Sequence, residues 1–509
     1  MGNFKIMKSP TMATTTKAGS SSRLSIILAL ITLAQFMTVV DFTIVQVALP
    51  SIGREFGVSV NGLQWIVTAY GLTLAGFLLL SGRVGDMYGR KKLFIIGVSV
   101  FSLASLTGGI APSEIVLIFA RIVQGLGAAM ASATGLSILA AAFPEGKERN
   151  RALSVFAAAS GSGFAAGMIL GGVITATLGW RWVFDINVPI GLVVSLLSIK
   201  YISSKTRRTS EHKHLDIFGA VSVTAGLMLL VYSLNIAQNI GIGSFQTLEL
   251  LLLSVVVLAA FLLIEYRSKA PLMPLGFLRR GSIFGANTVG LLQFAAFVGM
   301  VFILSNYLQQ VRGYSALSAG LVFLPAGVAA LVTSAIFSAQ LVNRFGVKPI
   351  IISGMALQTI AYLLLSPISI TESYIGGLLG PMLLVGVGYG LAITAINIAA
   401  LTGTRRGEEG LASGLINTSR QIGGPIGLAV LLTIVNFETS IGTGQLAVHS
   451  ASAMVLGFGY AFLVAALLTV IGIIFTVLLK QQRHGPAGLV GTAATEEEHN
   501  HKFYTAIDK

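Results

Sequence analysis

Cysteine is absent from this sequence of 509 residues, and charged residues make up only 10% of it. Without cysteine the chain can form no disulfide, no thiolate metal site and no cysteine nucleophile. Soluble domains carry roughly a quarter charged residues, so the composition argues against a soluble globular protein. Hydrophobic residues reach 54%, which indicates an all-α polytopic membrane protein.

Motifs of enzymes are also missing from the apolar segments. No HExxH, no GxSxG and no carboxylate cluster occurs within them. The only Gly-Lys pair, Gly146-Lys147, lacks the upstream glycine of a phosphate-binding loop, so ATP is not the expected energy source. We expect no catalytic residue, no metal site and no cofactor.

Long apolar runs are what the sequence does contain. A helix needs about 20 apolar residues to cross a bilayer. Fourteen runs meet this requirement and are called spans 1 to 14 here. They lie near 24–49, 61–80, 93–111, 114–142, 151–177, 184–202, 216–236, 247–266, 281–308, 316–339, 350–367, 374–400, 411–435 and 453–479.

The basic residues predict the orientation of these spans. An even number of spans puts both termini on one side. With that side cytoplasmic, 28 of the 33 lysines and arginines fall in cytoplasmic segments, and three, Arg54, Arg181 and Arg312, fall in external loops. This bias predicts a multi-pass protein of the inner (cytoplasmic) membrane with both termini in the cytoplasm. The net charge of +14 is explained in the same way, so nucleic acid is not an expected partner.

Two halves of the chain resemble each other. GRVGDMYGRKK at 82–92 aligns with AQLVNRFGVKP at 339–349, so that Asp86 meets Asn343. Spans 5 and 13 align as well, pairing glycines 163 and 167 with glycines 423 and 427. Weak internal symmetry of this kind is typical of secondary transporters built from two repeated bundles. Spans 7 and 8 fall outside the repeat.

The repeat predicts a division of the chain into seven segments. The two tails are cytoplasmic, and the amino-terminal one is polar enough to be disordered. The first apolar run is too long for a signal peptide and is expected to be retained. The segments are a tail at 1–23, a six-helix bundle at 24–202, a linker at 203–215, two extra transmembrane helices at 216–266, a linker at 267–280, a second six-helix bundle at 281–479 and a tail at 480–509.

Several stretches resemble motifs of the major facilitator superfamily, and of its drug:proton antiporters with fourteen transmembrane helices in particular. The stretches are GRVGDMYGRKK at 82–92, RIVQGLGAA at 121–129, VVDFTIVQVALP at 39–50, WRWVFDINVPIG at 180–191 and YLQQVRGYSALSAGLVFLPAG at 307–327. The resemblance covers residues 24–480. It implies the major facilitator fold, in which two six-helix bundles flank a central cavity, here with two extra helices inserted between them.

The resemblance also implies that the loop after span 2 latches the cytoplasmic ends of the two bundles. Its carboxylate can accept from a helix N-terminus and pair with the arginine that follows, and its glycines permit close approach. The latch residues are Gly82, Gly85, Asp86, Gly89, Arg90 and Lys91. For the basic residues of the loop, the alternative is that they only fix topology.

Three positions depart from the resemblance. Met168 stands where the exporter motif of span 5 has proline, and Gln46 replaces an asparagine of span 1. Asp185 occupies a position that is generally apolar, near the external face. Asp185 is either solvated at the interface or attracts cations and protons to the exit path.

Two ionisable residues lie deep inside the spans of the first half. At 1.5 Å per residue, Asp41 lies about 12 Å and Arg121 about 10 Å from the external ends of their helices. Ionisable residues inside spans are usually functional. Burial favours the neutral acid and a neighbouring arginine favours the anion, so Asp41 is a candidate proton-coupling group with Arg121. The alternative is a fixed pair that braces spans 1 and 4.

Small and polar residues inside the spans complete the set of candidates. Gly163, Gly167 and Gly171 share one helical face, which lets a second helix approach closely. Pockets for drug-like molecules are mostly apolar with a few polar groups. The candidates for the substrate cavity are Gln35, Thr38, Gln124, Gln293, Phe297 and Asn306.

These observations predict a proton-coupled antiporter that exports hydrophobic, cationic compounds by alternating access. Its expected partners are a small-molecule substrate, protons and the lipid bilayer, and the resemblance implies a monomer. Two alternatives stay open. One is an exporter of a single metabolite or antibiotic. The other is a facilitator or importer, which the missing proline at Met168 favours.

Overall fold

The computed structural model describes residues 15–57, 60–203, 216–268, 271–278, 280–402, 404, 408–442 and 451–478. These residues are almost entirely helical, and no strand occurs among them. The first 14 residues of the predicted amino-terminal tail, linker residues 204–215 and the tail at 480–509 lie outside the described residues.

The described ranges contain eighteen α-helices, numbered α1 to α18 in chain order. The first nine are Thr15–Phe56, Val60–Tyr88, Arg90–Gly109, Glu114–Ala142, Lys147–Thr177, Trp182–Asp185, Asn187–Tyr201, Ile217–Ile240 and Phe245–Arg267. The second nine are Leu275–Leu278, Gly281–Asn306, Ala316–Val322, Leu324–Val332, Ala339–Phe345, Val347–Leu365, Leu379–Leu401, Glu409–Gly442 and Ala451–Leu478. Short π-helical segments lie at Tyr307–Val311, Thr333–Ser338 and Tyr374–Leu378.

These helices account for all fourteen predicted spans. Thirteen helical stretches of the described chain are long and apolar enough to cross a bilayer. The fourteenth is α5, whose segments Lys147–Gly163 and Ala165–Thr177 meet at a bend of 43°. Span 6 is divided into α6 and α7, and span 10 into α12, α13 and α14.

Helix α1 is longer than the apolar run that predicts it. It begins at Thr15, inside the predicted tail, and continues past Pro50 to Phe56. Once a helix is nucleated, each added residue gains a hydrogen bond, so the polar residues before Leu24 extend it. Pro50 removes one backbone donor, and this loss does not end the helix at that position.

Glycines set the closest helix contacts within each half. In the first half, α5 lies against α1 because Gly163, Gly167 and Gly171 leave no room for a Cβ beside Val39, Thr43 and Val47. Gly97 of α3 lies against the backbone of α4, and Gly354 of α15 lies against the backbone of α16. The alignment that pairs Gly89 with Gly346 also pairs Gly97 with Gly354, so the repeat extends to tertiary packing.

The two extra helices pack on each other, and α8 lies between the halves. On one side Gly76 of α2 meets Met228, and Trp65 stacks on Tyr232 at 5.6 Å between ring centroids. On the other side Leu234 clusters with Ala429 of α17.

Below, the end of the bundle that carries Arg90, Arg149 and Arg280 is called the basic end. The end that carries Glu55 and Arg181 is called the opposite end.

Candidate functional site

Asp41 and Arg121 form an ion pair inside the first half of the molecule. Arg121 Nη1 on α4 donates to Asp41 Oδ2 on α1 at 2.6 Å, and both side chains are 0% exposed. Equal depth along two adjacent helices brings the two groups together, as the sequence suggested. A buried charge is tolerated where it is paired and hydrogen-bonded, and this pair meets that condition for the carboxylate.

Two amides complete the coordination of the Asp41 carboxylate. Gln124 Nε2 donates to Oδ1 at 2.7 Å, and Asn187 Nδ2 donates to the same oxygen at 2.9 Å. Ser105 Oγ accepts from both amides, at 2.6 and 3.3 Å. The network therefore joins α1, α3, α4 and α7. Gln124, predicted as a cavity residue, is 0% exposed and belongs to this network.

The other contacts of the Arg121 guanidinium described here are with neutral groups. Its Nε donates to the Ile66 carbonyl at 3.1 Å, and Nη1 also donates to Gln124 Oε1 at 2.7 Å. Tyr70 places its ring 4.1 Å from the guanidinium carbon, a cation–π contact. Arg121 Nη2 has no partner among the described atoms. Loss of the Asp41 charge would therefore leave this cation without its ion-pair partner among the described residues.

Asn187 and Ser105 are functional candidates that the sequence analysis missed. Asn187 lies in WRWVFDINVPIG, two residues after Asp185, which was the candidate predicted from this stretch. The available signal was a polar amide in an apolar run, at the start of α7. Ser105 gave no signal, because a serine in a transmembrane helix usually bonds its own backbone.

Asp185 lies outside the network, near the opposite end. One of its oxygens, Oδ1, is buried without a hydrogen-bond partner, and the side chain lies beside Gly109 at the end of α3. Glu55, an exposed acid at this end, accepts from Trp180 Nε1 at 2.6 Å and from Arg181 Nη1 at 2.5 Å. This contact ties the end of α1 to the turn before α6.

The predicted latch loop contacts the second half at the basic end. Asp86 accepts from the backbone N–H groups of Gly410 and Leu411, at 3.1 and 2.9 Å. Both N–H groups belong to the first turn of α17 and so have no acceptor within the helix. The helix dipole also favours a carboxylate at this position. Arg90 Nε donates to Asp86 at 2.8 Å, and Arg90 Nη2 donates to Glu409 at 2.6 Å.

The glycines of the loop serve this contact in different ways. Gly82 lies directly against the Gly410 carbonyl, so a Cβ at position 82 would overlap backbone atoms of α17. Gly85 faces Thr134, and Gly89 has a φ of 112° between α2 and α3, a conformation that only glycine adopts easily. Lys91 turns away and donates to the Ile199 carbonyl at 2.8 Å, within its own half.

A second contact joins the halves at the same end. Arg149, near the start of α5, donates to the Leu401 carbonyl at 3.0 Å. Asn150 donates to Asn343 at 2.6 Å. Asn343 is the position that the repeat aligns with Asp86, and the alignment of Gly163 with Gly423 pairs Asn150 with Gly410. The two contacts are therefore related by the repeat, one ionic and one neutral, and together they join the two halves at the basic end.

Arg280 forms an ion pair within the second half at the basic end. It donates two hydrogen bonds to Glu408, at 2.5 and 3.0 Å. These bonds raise the pKa of Arg280 above its usual value. The pair fixes the segment before α11 to the segment before α17, so the α17 N-terminus that Asp86 contacts is held in place from both sides.

The predicted cavity residues occupy three separate places. Gln35 donates to Ser160 of α5 at 3.2 Å, and Thr38 donates to the Gln35 carbonyl. Phe297 packs on Tyr389 with 4.3 Å between ring centroids. Asn306 lies at the end of α11, donates to the Phe302 carbonyl and accepts from Gln310 of the π-helical segment that follows. The cavity candidates thus share no single wall in this conformation.

Phe297 and Tyr389 line a small apolar pocket between the halves. Ala326 and Ala330 of α13 form another side of it, and α5 closes it with Gly161 and Ala165. Gln293, one turn before Phe297 on α11, is 1% exposed and has no hydrogen-bond partner for either amide atom among the described residues. The pocket therefore combines aromatic surface with unsatisfied polar groups nearby.

The profile of the Major Facilitator Superfamily matches residues 31–428, so the chain belongs to this superfamily of transporters. It is 36% identical over 478 residues to the cephamycin export protein CmcT of Amycolatopsis lactamdurans, covering 94% of this chain and 97% of that protein. It is 35% identical over 459 residues to the puromycin resistance protein pur8 of Streptomyces alboniger, covering 89% and 90%. The multidrug resistance protein Stp of Mycobacterium tuberculosis is 36% identical over 403 residues, covering 79% and 74%.

Two solved structures share the fold. The human organic anion transporter MFSD10 superposes with a TM-score of 0.65 at 15% identity, covering 89% of this chain and 99% of that one. The proton:xylose symporter XylE superposes with a TM-score of 0.62 at 16% identity, covering 90% and 96%. The predicted major facilitator fold is thereby confirmed, and the chain is a multi-pass membrane transporter.

Proposed function

We propose that this protein exports hydrophobic, drug-like compounds across the inner membrane in exchange for protons, with both termini in the cytoplasm. The observation that carries the proposal is the fully buried Asp41 carboxylate, paired with Arg121 and accepting from two amides. A carboxylate at this depth can carry a proton, because binding of one proton removes the negative charge that neutralises Arg121.

The network gives the proton a structural effect. Ionised Asp41 accepts from α4 and α7 and so holds α1 to both helices. A proton on Asp41 occupies one acceptor oxygen and removes the attraction to Arg121, which weakens this junction. Proton binding at the opposite end and release at the basic end would then alternate with opening of the latch formed by Asp86. The proton gradient can supply the energy, since one charge crossing about 100 mV yields about 2.3 kcal/mol.

The names of the relatives support export over uptake. The three relatives described above are named for cephamycin export, puromycin resistance and multidrug resistance. A second candidate follows from the same names, because two of them refer to a single antibiotic. Export of one dedicated antibiotic would use the same proton mechanism and would differ only in the breadth of the substrate pocket.

The expected cationic charge of the substrate receives no support from the geometry. That expectation required an accessible intramembrane carboxylate. In this conformation Asp41 is 0% exposed and accepts from Arg121, Gln124 and Asn187. A drug cation would have to displace Arg121 or an amide from Asp41 before it could bind.

Substitution of Asp41 by asparagine tests the proton role. Asp41→Asn keeps the shape of the side chain but carries no charge and cannot exchange a proton, so we expect dye accumulation in everted vesicles to stop responding to an imposed pH gradient. Accumulation and the dye-dependent proton leak are followed by fluorescence in the same vesicles. Glu249→Gln removes an exposed acid of α9 and serves as the control, with wild-type activity expected. Proton-driven accumulation by a correctly inserted Asp41→Asn protein would rule out the coupling role.

A further inference from the structure

Arg420 is a second arginine inside the membrane region, and its surroundings differ from those of Arg121. It lies eleven residues after the start of α17, which is about 16 Å into the helix. Its Nη2 reaches the Tyr389 hydroxyl at 3.5 Å, and its guanidinium carbon lies 5.3 Å from the Phe294 ring centroid. Its Nε is buried without a hydrogen-bond partner.

No acid neutralises Arg420 among the described side chains, whose ion pairs involve other arginines. Charged groups at membrane depth normally pair with an opposite charge or face a water-filled cavity. The first half follows this rule, because Arg121 has Asp41. The second half supplies a long hydrogen bond and an aromatic ring, which together leave most of the donor capacity of the guanidinium unused.

Two buried amides on the helices that carry Phe294 and Tyr389 are also unsatisfied. Gln293 precedes Phe294 on α11, and Asn397 lies two turns beyond Tyr389 on the same face of α16. Each is 1% exposed, and neither amide atom of either residue has a partner among the described atoms. A Cβ placed on Gly290, one turn from Gln293, would lie 3.3 Å from Ile396 and 3.6 Å from Arg420, so α11, α16 and α17 meet in this region of the bundle.

The unpaired cation adjoins the apolar pocket between the halves. Tyr389, which Arg420 contacts, lines that pocket together with Phe297, and Phe294 lies 6.4 Å from Phe297 between ring centroids. The pocket is only about 20 Å³ in this conformation, so the aromatic or aliphatic body of a ligand can enter only as the halves separate there. The polar end of such a ligand could then meet the guanidinium. Arginine suits carboxylates in this role because its planar fork donates two parallel hydrogen bonds.

We propose that Arg420 binds the anionic group, most simply a carboxylate, of an otherwise hydrophobic substrate whose body packs against Phe297 and Tyr389. This proposal rests on the proposed export function and specifies its substrate class as amphiphilic organic anions or zwitterions. The substrate carboxylate would do for Arg420 what Asp41 does for Arg121. Gln293 and Asn397 supply further polar groups on the helices that flank this site.

Equilibrium binding of two matched dyes tests the site. A rhodamine that carries a free carboxylate and the methyl ester of the same dye differ at one group only. Fluorescence anisotropy with the detergent-purified full-length protein measures both affinities. We expect the wild-type protein to prefer the carboxylate by about tenfold, the effect of one charged contact. Arg420→Gln is expected to abolish the preference while leaving ester binding within about twofold.

Arg312→Gln serves as the matched control, because it removes the same charge from a partly exposed site after the π-helical segment Tyr307–Val311. Its preference should equal that of the wild type. Arg420→Lys keeps the charge without the fork and should retain a preference reduced by roughly threefold, which decides the question if the glutamine variant does not fold. Equal binding of both dyes, binding of neither, or a preference that survives Arg420→Gln would overturn the proposal.

The same dyes separate this proposal from the proposed function. In everted vesicles, the carboxylate dye is expected to accumulate when a pH gradient is imposed. A carboxylate preference that depends on Arg420, without any accumulation driven by the gradient, would contradict proton-coupled export and uphold the anion site. Accumulation of both dyes to the same extent, with no preference in binding, would uphold proton-coupled export and overturn the anion site.

Discussion

Asp41 and Arg121 show why a single buried charge is informative only together with its neighbours. Each would be expensive alone at membrane depth. Together they form a contact of 2.6 Å, and two amides and a serine complete it. The pair satisfies the requirements of a brace and of a proton switch alike, so stability and transport have to be measured separately.

A double-mutant cycle separates the two roles at the residue level. Asp41→Asn and Arg121→Gln each leave one buried charge without its partner, and removal of one member of a buried pair costs about 3–5 kcal/mol. We expect both single variants to show a lower Tm in detergent and the double variant to recover most of the loss. Transport should be absent in all three.

The transport result of the double variant distinguishes the hypotheses. A brace can be replaced by two neutral amides that bond each other, whereas a proton carrier cannot. Recovery of proton-driven efflux in the stable double variant would therefore show that the pair is only a brace. A double variant as unstable as the singles would contradict the claim that the two charges act as one unit.

The contacts that join the two halves at the basic end lie at helix termini and where helices cross. Asp86 contacts the N-terminus of α17, and Asn343 contacts Asn150 near the start of α5. Both contacts repeat the same arrangement in the two halves. The ionic one depends on close approach of α2 to α17, which Gly82 permits. The latch is thus a property of two helices and their spacing.

Widening that crossing should open the basic end. In Gly82→Ala the added methyl group would overlap the Gly410 carbonyl, so α2 and α17 must separate. The chain has no cysteine, so a single Ser413→Cys substitution reports the opening; Ser413 is buried and bonds the Ala133 carbonyl. We expect its labelling by a membrane-impermeant maleimide, added to everted vesicles, to rise about tenfold or more in the Gly82→Ala background.

Gly71→Ala provides the control for this experiment on the same helix. A Cβ at position 71 meets no atom within 4 Å, so labelling at position 413 should stay at the level of the parent protein. Unchanged labelling in Gly82→Ala would mean that α2 and α17 tolerate the methyl group, and the latch would then depend on Asp86 and Arg90 alone.

The molecule as a whole is a bundle of fourteen spans with an asymmetric distribution of basic residues. Lysines and arginines concentrate in the segments that the even span count places on one side. The contacts of Asp86, Arg149 and Arg280 gather at that same end of the bundle. This end of the bundle is therefore expected to face the cytoplasm.

Reporter fusions test that orientation. Green fluorescent protein fused after Lys509 should fluoresce, because it matures in the cytoplasm. Alkaline phosphatase, which needs disulfides, should be active when inserted at Gly243 between α8 and α9 and inactive when inserted in the linker at 203–215. Enzyme activity in linker insertions together with a dark carboxy-terminal fusion would show that the predicted orientation is inverted.

The sequence alone determined the features that depend on local composition. Fourteen apolar runs predict fourteen spans because crossing a bilayer requires a continuous apolar helix, and the structure has a helix at every run. Asp41, Arg121 and the loop at 82–92 are conspicuous for the same reason, since charge is scarce around them. The internal repeat even predicted which positions would occupy related places, as Asn343 and Asp86 do.

Only the tertiary structure decided which groups meet. Asn187 contacts Asp41 across 146 residues of sequence, and Gly410 contacts Asp86 across 324. Backbone N–H groups such as that of Gly410 have no side-chain signature, so their role as the partner of the latch is invisible in the sequence. Arg420 and Arg121 look alike in the sequence, since each is an arginine inside an apolar run. In the structure Arg121 has an acid beside it, whereas Arg420 faces an aromatic pocket. Pairing of buried charges depends on the distance between helices, and that distance is fixed only when the bundle packs.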